Sequence, residues 1–271
     1  MKKILLIGYG KMGSSIVNGW TKKKINFKIF VIEKEEIKSD LKNKEKIHFL
    51  KTFDDFRKLN LIPDLIFVAV KPQQLPEIKN DLKLLYNIKS VFVSIVAGIS
   101  IEWFRTKLSN EIKIVRAMPN TPAAILKGIT GIYHTKNLRK VEIDNVKKTL
   151  MCIGKVVVLK KEYFIDIVTS ISGSGPAYFF LLSELLIKLG KKLGLEEQDA
   201  ELLSTSTFIG SANLLESSDS SVQTLRKNVT SPGGTTEAAI EVLLKKENNF
   251  EMILEKAVNA AILRAKKLNI K

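Results

Sequence analysis

Three glycines near the start of the chain have the spacing of a phosphate-binding loop. Gly8, Gly10 and Gly13 follow an apolar run and precede apolar residues at helical spacing. In such a loop the first glycine permits a tight turn, the second lets the backbone approach a pyrophosphate, and the third lets the helix pack closely on a sheet. The N–H groups at the helix start then meet the phosphate charge. The alternative is a glycine-rich turn that binds nothing, but the context favours dinucleotide binding by Gly8, Tyr9, Gly10, Lys11, Met12 and Gly13.

An acidic residue ends the next apolar run. Glu33 lies about 20 residues beyond the last glycine, the place where a carboxylate accepts hydrogen bonds from the adenosine ribose. A carboxylate here favours NADH over NADPH, because it would repel a 2′-phosphate. Lys34 and Lys38 weaken this preference, since a nearby cation can neutralise that phosphate. The alternative for Glu33 is a solvated surface carboxylate.

Two further apolar runs end in polar or glycine-rich segments. In an open α/β sheet, ligands lie outside the carboxyl ends of the strands. We therefore expect both segments to border the nicotinamide half of the cofactor, although Lys71 has the alternative of plain surface charge. The residues are Ala69, Val70, Lys71 and Pro72 after one run and Ala97 and Gly98 after the next.

Three more segments combine small, polar and proline residues at the ends of predicted elements. Residues 117–123 place two prolines around Asn120 and Thr121, which fixes the backbone where amide and hydroxyl groups are offered. Asn120 is thus a candidate contact of both substrate and cofactor, although a rigid loop is the simpler interpretation. Residues 172–178 and 230–236 are rich in Gly, Ser and Thr, and each precedes a predicted helix. Helix starts of this kind present free N–H donors to a carboxylate.

The order of apolar patterns predicts an α/β fold with two domains. In residues 1–160, short β-branched runs alternate with helical segments, which is the pattern of a parallel sheet covered by helices and indicates a Rossmann-type domain. Residues 161–271 show long helical patterns and predict an all-helical domain. The predicted strands are residues 4–8, 28–32, 65–70, 91–96, 112–117 and 155–159, and the predicted helices are residues 11–24, 175–193, 197–216, 234–246 and 249–268.

Composition narrows the class of protein. The chain has 271 residues, a formal net charge of +16 and one cysteine, Cys152, which we interpret as a small buried hydrophobe. Its 44 Lys and Arg are scattered, so we expect no nucleic-acid partner and a charge that favours small anions. The N-terminal apolar run breaks at Gly8, and no later run approaches the ~18 uninterrupted apolar residues of a membrane span. We expect a cytoplasmic protein without a membrane partner.

Taken together, these motifs resemble those of the pyrroline-5-carboxylate reductase family from end to end. The resemblance implies a Rossmann domain followed by a helical domain through which two copies dimerise. It also implies reduction of 1-pyrroline-5-carboxylate to L-proline with NADPH or NADH, the last step of proline biosynthesis. Residues 231–236 carry the most specific match. The matching segments, in the family's order, are the Gly8 loop and residues 68–72, 118–122, 173–178 and 231–236.

The resemblance also implies roles for single residues. Thr236 would be the catalytic residue, with its hydroxyl on the ring nitrogen of the substrate, while the N–H groups of Gly234 and Thr235 would hold the carboxylate. The substrate would lie between the cofactor and a turn that comprises Ser231, Gly233, Gly234, Thr235 and Thr236.

One segment departs from the family's pattern. Family members often have an Asn near the cofactor ribose, where this chain reads Lys-Thr-Phe-Asp-Asp at residues 51–55. Asp54 is the candidate replacement as a cofactor contact, which affects the expected ribose contact and phosphate preference.

The histidines offer no evident proton donor. His48 and His134 lie outside every motif and are interpreted as ordinary surface or loop residues. A ketone reductase needs a donor for the developing alkoxide. An imine nitrogen can arrive already protonated from solvent, so hydride attack leaves no oxyanion. A site without a histidine acid is therefore consistent with C=N reduction, and a helix cap is the alternative role of the Thr236 hydroxyl.

Two other function classes stay open. A β-hydroxyacid or 6-phosphogluconate dehydrogenase would present a catalytic lysine on the first long helix of the second domain, where this chain has none before Lys188. A deazaflavin-dependent reductase shares the same plan. A non-catalytic dinucleotide-binding regulator is the other class, but it leaves residues 233–236 unexplained.

Broad apolar faces on the helices at 175–193 and 197–216 predict an interface. A stripe wider than one core contact implies a second surface, and the interface of an obligate dimer resembles a domain core cut in half. We expect a homodimer through the helical domain, or a higher oligomer, with inactive monomers. The alternative is that the faces close on each other within one chain. The residues are Phe179, Leu182, Leu185, Leu186 and Leu189 on one helix and Leu202, Leu203, Phe208, Ile209 and Leu214 on the other.

Overall fold

Eight strands form one sheet in the computed structural model, which describes residues 2–37, 46–246 and 249–267. They are β1 (Lys2–Ile7), β2 (Phe27–Ile32), β3 (Ile47–Leu50), β4 (Leu65–Val68), β5 (Val91–Ser94), β6 (Ile114–Met118), β7 (Gly128–His134) and β8 (Gly154–Val158). Their order is β3-β2-β1-β4-β5-β6-β7-β8, with every neighbouring pair parallel except β6 and β7. From β3 to β6 this is the order of a dinucleotide-binding sheet, whose crevice lies at the carboxyl ends of the strands where the order reverses.

The central strands are buried on both faces. Ile4 and Leu6 of β1 belong to one apolar cluster and Leu5 and Ile7 to the other. Trp20, on the helix α1 (Lys11–Lys22), packs in the first cluster and donates its indole N–H to the Thr149 carbonyl at 3.0 Å. Because helices cover both faces, the strands read as continuous apolar runs rather than alternating ones.

The six predicted strands are all present, with ends shifted by one or two residues. The prediction missed β3 and β7. The first has only four residues, next to a charged segment. The second is interrupted by Gly131, where a Cβ atom would lie 2.8 Å from a methyl group of Val168. Neither strand shows the β-branched run that identified the others.

Short helices connect the strands of the sheet, and the described chain after β8 contains helices and no strand. The first group is α1, α2 (Phe53–Arg57), α3 (Lys79–Leu85), α4 (Ile101–Lys107) and α5 (Lys140–Leu150). The second is α6 (Phe164–Val168), a π-helical segment (Thr169–Gly173), α7 (Gly175–Lys192), α8 (Glu197–Ser217), α9 (Val222–Asn228), α10 (Thr235–Leu244) and α11 (Phe250–Lys267). The four long helices predicted after residue 160 are present, and the short α9 was not predicted.

The chain divides into two compact units. The N-terminal unit comprises Met1–Ser174 with Ala261–Lys271, and the helical unit comprises Gly175–Ala260. This division falls later than the sequence-based boundary at residues 160 and 161, which follows the end of the last strand. The reason is that α6 packs on the sheet: Asp166 pairs with Arg116 of β6, and Val168 lies against Gly131 of β7.

The helical unit exposes many of its large apolar side chains. In α7 and α8, Phe179, Leu186 and Leu202 are 55%, 49% and 65% exposed. Between these helices lies an apolar groove of about 540 Å³, where the rings of Phe179 and Phe208 are 5.6 Å apart. By length and composition alone, one helical stretch of the described chain, Phe164–Lys192, is also sufficient to cross a membrane.

Candidate active site

The glycine-rich loop occupies the carboxyl end of β1. Gly8 has a φ of +95°, and a Cβ atom there would lie 2.8 Å from the Ala69 carbonyl oxygen. At Gly13 a Cβ atom would lie 2.3 Å from the Gly8 carbonyl oxygen, so only glycine allows α1 to approach β1 this closely. At Gly10 a Cβ atom would meet no protein atom within 4 Å. Gly10 therefore faces open space, where the backbone can approach a ligand.

The start of α1 suits a phosphate. Gly10 is its N-cap residue, no side chain caps it, and no acidic residue lies in its first turn. The first intrahelical bond runs from the Ser14 N–H to the Gly10 carbonyl, which leaves the N–H groups of Lys11, Met12 and Gly13 as the unpaired donors of the helix start. These N–H groups and the positive end of the helix dipole attract an anion.

Glu33 lies beside this loop at the end of β2. Its carboxylate accepts a hydrogen bond from the Tyr9 N–H at 2.6 Å, and the Tyr9 ring makes an edge contact with Phe49 of β3. Lys34 follows and is exposed. A cavity of about 500 Å³, within the usual size of a ligand site, is lined by residues at the ends of β2 and β3, including Glu33 and Leu50. Lys38 lies outside the described residues.

Asp54 has a different partner. Its carboxylate is 71% exposed and pairs with the guanidinium of Arg57, which also bonds Asp81 at 3.0 Å. The neighbouring Asp55 forms a capping box with Thr52 at the start of α2. An Asp54 held by an arginine has less capacity to accept from a ribose, so among the predicted cofactor residues it has the weakest geometric support.

The loops after β4 and β5 lie at the same edge of the sheet as the glycine loop, and the first of them contacts it. The Ala69 N–H donates to the Ile7 carbonyl at 2.8 Å, which continues the pairing of β4 with β1 up to the tight turn at Gly8. Pro72 begins a short 3-10 helix, and the Gln74 side chain accepts from the Lys71 N–H. Gly98, in the next loop, has a φ of +74°. Val70 and Ala97 belong to the same two loops, so the predicted nicotinamide-side residues share one edge of the sheet.

Two of the predicted substrate-side segments meet at the end of β6. Asn120 is almost fully buried, and its side-chain oxygen accepts from the Ile129 N–H at 2.9 Å. This bond ties the loop to β7 and uses the side-chain oxygen of Asn120 rather than its amide N–H groups. Met118, at the end of β6, lies next to Gly173, where a Cβ atom would be 3.9 Å from the thioether sulfur. The loop after β6 and the π-helical segment are therefore neighbours.

The third segment forms a turn before α10 in the helical unit. Gly233 has a φ of +70°, and its N–H donates to the Glu237 carboxylate at 2.7 Å. The Gly234 N–H donates to the Ser231 carbonyl at 3.0 Å, so this group, which the resemblance implied as a carboxylate donor, already has a partner inside the turn. The first bond of α10 runs from the Ala238 N–H to the Gly234 carbonyl, so the N–H groups of Thr235, Thr236 and Glu237 are the donors that remain at this helix start.

Curated relatives resemble this chain over most or all of its length. The pyrroline-5-carboxylate reductase of Pseudomonas aeruginosa is 38% identical over 205 residues, which cover 76% of this chain and 74% of that protein. The pyrroline-5-carboxylate reductase of Staphylococcus haemolyticus is 32% identical over 98% of both chains.

The chain belongs to the pyrroline-5-carboxylate reductase family.

Solved structures of this family have the same fold. A pyrroline-5-carboxylate reductase from Coxiella burnetii superposes with a TM-score of 0.89 at 35% identity and covers 99% of this chain and 98% of its own. The Plasmodium falciparum pyrroline carboxylate reductase, solved with NADP bound, gives a TM-score of 0.84 at 29% identity over 99% of this chain and 98% of its own. The family's fold thus extends over both units of the chain.

Family models distinguish the two halves. The model described as pyrroline-5-carboxylate reductase dimerisation matches residues 162–268. The model described as NADP oxidoreductase, coenzyme F420-dependent, matches residues 3–98, which contain the glycine loop and strands β1 to β5. The deazaflavin alternative therefore shares the dinucleotide-binding half only. The pyrroline-5-carboxylate reductase match is carried by the helical half and by the full-length relatives.

The two histidines and the cysteine are not among the predicted site residues. His48 is not the surface or loop residue that was expected: it lies in β3, where its ring stacks on Phe30, and burial, together with the Lys28 charge, lowers its pKa. His134 is the last residue of β7, and its ring nitrogen Nδ1 lies 3.0 Å from the Thr135 carbonyl oxygen. Burial raises the pKa of the Cys152 thiol, which fits the predicted buried hydrophobe. Among the described residues, no group of His, Cys, Asp and Glu has the arrangement of a metal site.

Sequence reasoning missed a buried ion network beside the site. Arg116 of β6 bonds Glu162 and Asp166, which lie 46 and 50 residues away. No local pattern reports contacts at such separations. The signal available was an arginine within an otherwise apolar strand, since a buried charge requires partners.

Proposed function

We propose that this chain reduces the C=N bond of 1-pyrroline-5-carboxylate to give L-proline, the last step of proline biosynthesis. The observation that carries the proposal is the similarity to curated reductases of that name, which extends over 98% of both chains for the Staphylococcus haemolyticus protein. The chain also has two features that the reaction would use, a glycine loop that would hold a dinucleotide and a turn before α10 that would hold a carboxylate. Reduced nicotinamide, when bound, supplies the hydride. The chain's own residues would bind the dinucleotide and the imine and orient them toward each other.

The N-terminal unit would hold the dinucleotide. The N–H groups of Lys11, Met12 and Gly13 fit the pyrophosphate, because no acidic side chain competes in that turn. The open space beside Gly10 fits the same group. Glu33 would accept from the ribose, and the loops at Lys71 and Ala97 would border the nicotinamide.

The turn before α10 would hold the substrate. We assign the carboxylate to the N–H groups of Thr235 and Thr236 in place of Gly234, whose N–H bonds Ser231. The Thr236 hydroxyl would orient the ring nitrogen. Because that nitrogen arrives protonated, hydride addition neutralises a cation and needs no side-chain acid, which agrees with histidines placed outside these segments.

We propose NADH as the preferred cofactor. The support is Glu33, whose carboxylate lies within hydrogen-bond distance of the glycine loop and would repel a 2′-phosphate. The Plasmodium relative was solved with NADP. We therefore expect the preference of this chain to depend on residues such as Glu33 and Lys34 rather than on the shared fold.

We propose a cytoplasmic homodimer joined through α7 and α8, without a nucleic-acid or membrane partner. Support comes from the exposed apolar side chains of these helices and from the dimerisation model that matches residues 162–268. The same exposed side chains account for the apolar stretch Phe164–Lys192 without a membrane.

Absorbance of the reduced nicotinamide tests the reaction directly. We expect oxidation of NADH, and slower oxidation of NADPH, only when 1-pyrroline-5-carboxylate is present. Turnover with 3-hydroxyisobutyrate or 6-phosphogluconate and none with the imine would contradict the proposal.

Thr236→Ala should lower turnover without weakening cofactor binding. The activation free energy should rise by about 1–3 kcal/mol, the value of one positioned hydrogen bond. Thr236→Ser, which keeps the hydroxyl, is the matched control; full activity of Thr236→Ala would leave Thr236 a helix cap.

A further inference from the structure

A buried arginine joins two carboxylates on the face of the sheet. Arg116 lies in the middle of β6 and is 3% exposed. Its two terminal nitrogens bond different partners, Glu162 at 3.3 Å and Asp166 at 2.8 Å. Both partners lie between β8 and the π-helical segment. A planar guanidinium can bridge two acceptors in fixed directions, which the single ammonium of lysine cannot reproduce.

Glu162 extends this network to the loop after β5. The same carboxylate oxygen that accepts from Arg116 also accepts from the Ile101 N–H at 2.8 Å. Ile101 is the first residue of α4, and that helix directly follows the loop that contains Ala97 and Gly98. One side chain therefore holds the start of α4 against the segment that follows β8.

Asp166 connects the network to the loop after β6. It lies on α6, which continues into the π-helical segment, where the Ser174 N–H donates to the Thr169 carbonyl five residues earlier at 2.8 Å. Segments of this type occur frequently at functional sites. Gly173, at the end of the segment, contacts Met118, which is two residues beyond Arg116. The ion pair between Arg116 and Asp166 thus fixes β6 on one side of this contact and α6 on the other.

We propose that Arg116 is a positioning residue for the reduction. Through Glu162 and Asp166 it fixes the loop after β5, the loop after β6 and the π-helical segment relative to one another. The inference rests on the proposed function, because the loop after β5 would border the nicotinamide and the other two segments are those that the sequence predicts on the substrate side. Its physical basis is that reaction rate depends steeply on geometry: a misplacement of about 1 Å can cost about 100-fold.

A second buried ion network provides a control. Lys113, directly before β6, bonds Glu142 of α5 at 2.9 Å, with side chains that are 17% and 8% exposed. Glu142 also accepts from Arg139. The burial is similar to that of Arg116 and Asp166, which are 4% and 13% exposed. The Lys113 network holds α5 and none of the three site segments, so a substitution in it reports the cost of losing a buried ion pair alone.

The experiment compares Asp166→Asn, Arg116→Lys and Glu142→Gln in the full-length protein. For the first two we expect kcat to fall by about 10- to 100-fold, with the dissociation constant of reduced nicotinamide within about threefold of wild type. Hydrogen exchange should accelerate in residues 118–125 and 169–173. Glu142→Gln should lower the unfolding temperature, but it should leave kcat and the hydrogen exchange of residues 118–125 and 169–173 unchanged. If Arg116→Lys does not fold, Asp166→Asn decides, because it keeps the shape of the side chain.

Two outcomes would overturn the inference. One is a kcat for Asp166→Asn equal to that of wild type or of Glu142→Gln; the other is unchanged exchange in both segments. A wild-type protein that does not reduce the imine would refute the proposed function instead. The exchange measurement would then still decide whether Arg116 fixes these segments.

Discussion

The two units of the molecule differ in how they dispose of apolar side chains. In the N-terminal unit, the central strands are closed off: Leu5, Phe67 and Val93 are 0% exposed. In the helical unit, Phe179, Leu186 and Ile209 are 55%, 49% and 57% exposed. Helices of a self-contained domain hide such side chains against one another. The N-terminal unit therefore buries its apolar side chains within its own core, whereas the helical unit leaves many of its own exposed, which is the surface that the proposed dimer would cover.

This difference has a thermodynamic consequence. A unit that is completed by a second copy gains stability only from binding, so its unfolding temperature depends on protein concentration. A unit that is completed by its own core does not show this dependence.

The largest expected effect follows from placing a charge in the apolar groove. Leu186→Glu should give a monomer without activity, because a desolvated carboxylate in a dimer interface is strongly unfavourable. Leu84→Glu in α3 is the control, since Leu84 is 68% exposed in the self-contained unit and should tolerate the change. Light scattering gives the molar mass of each variant, and nicotinamide absorbance gives its activity. A fully active wild-type particle of 30.4 kDa would remove the contrast between the units.

The glycine loop tests the self-contained unit. Gly13→Ala should destabilise the protein by about 1–3 kcal/mol or more, because its Cβ atom would lie 2.3 Å from the Gly8 carbonyl oxygen and α1 would have to move. Gly10→Ala should leave the unfolding temperature unchanged, since its Cβ atom meets no protein atom within 4 Å. It should instead weaken dinucleotide binding. Thermal melts and cofactor titration separate the two; equal melting temperatures would contradict the close packing.

The features predictable from sequence were those that repeat locally. The β-branched runs of β1 and β4 and the spacing of Gly8, Gly10 and Gly13 identify the dinucleotide half directly. Strand β7 was not predicted because Gly128 and Gly131 weaken its apolar pattern. Both positions need glycine because of a residue distant in sequence, Ile153 beside Gly128 and Val168 beside Gly131. Contacts of this kind are not encoded in any window of the sequence.

The candidate site was predictable to the same extent. The sequence identified the turn at residues 231–236, but it could not show that the Gly234 N–H is used by Ser231. Nor could it show that Arg57 pairs with Asp54. Hydrogen-bond partners depend on side-chain placement, which residue type alone does not determine.

An acid titration tests the stability of the N-terminal unit through Glu142. Burial raises the pKa of this carboxyl, but hydrogen bonds from Arg139 and Lys113 outweigh that effect. The net result is a pKa lowered from 4.5 to about 2. Because the folded-state pKa is depressed, the stabilisation is present above about pH 4.5 and is lost as the pH falls toward 2. Glu142→Gln should therefore cost on the order of 2–3 kcal/mol at neutral pH and flatten this acid dependence.

Urea titrations at several pH values measure this effect. Since Glu142 and its partners lie in the self-contained unit, the difference between variant and wild type should not change with protein concentration. A concentration-dependent difference would connect this network to the interface and weaken the distinction between the units.

The smallest expected effect concerns cofactor choice, which the contrast assigns to the N-terminal unit alone. Glu33→Ala should lower the ratio of kcat/KM for NADH to that for NADPH by about tenfold, equivalent to about 1.4 kcal/mol, because it removes both a ribose acceptor and a charge that repels a 2′-phosphate. Glu36→Ala is the control, since it removes an exposed charge nearby without altering the bond to Tyr9. Steady-state kinetics with both cofactors give the ratio, and sedimentation should show the same oligomer for both variants. An unchanged ratio would mean that the Glu33 carboxylate serves only the Tyr9 N–H, as a structural tie between β2 and the glycine loop.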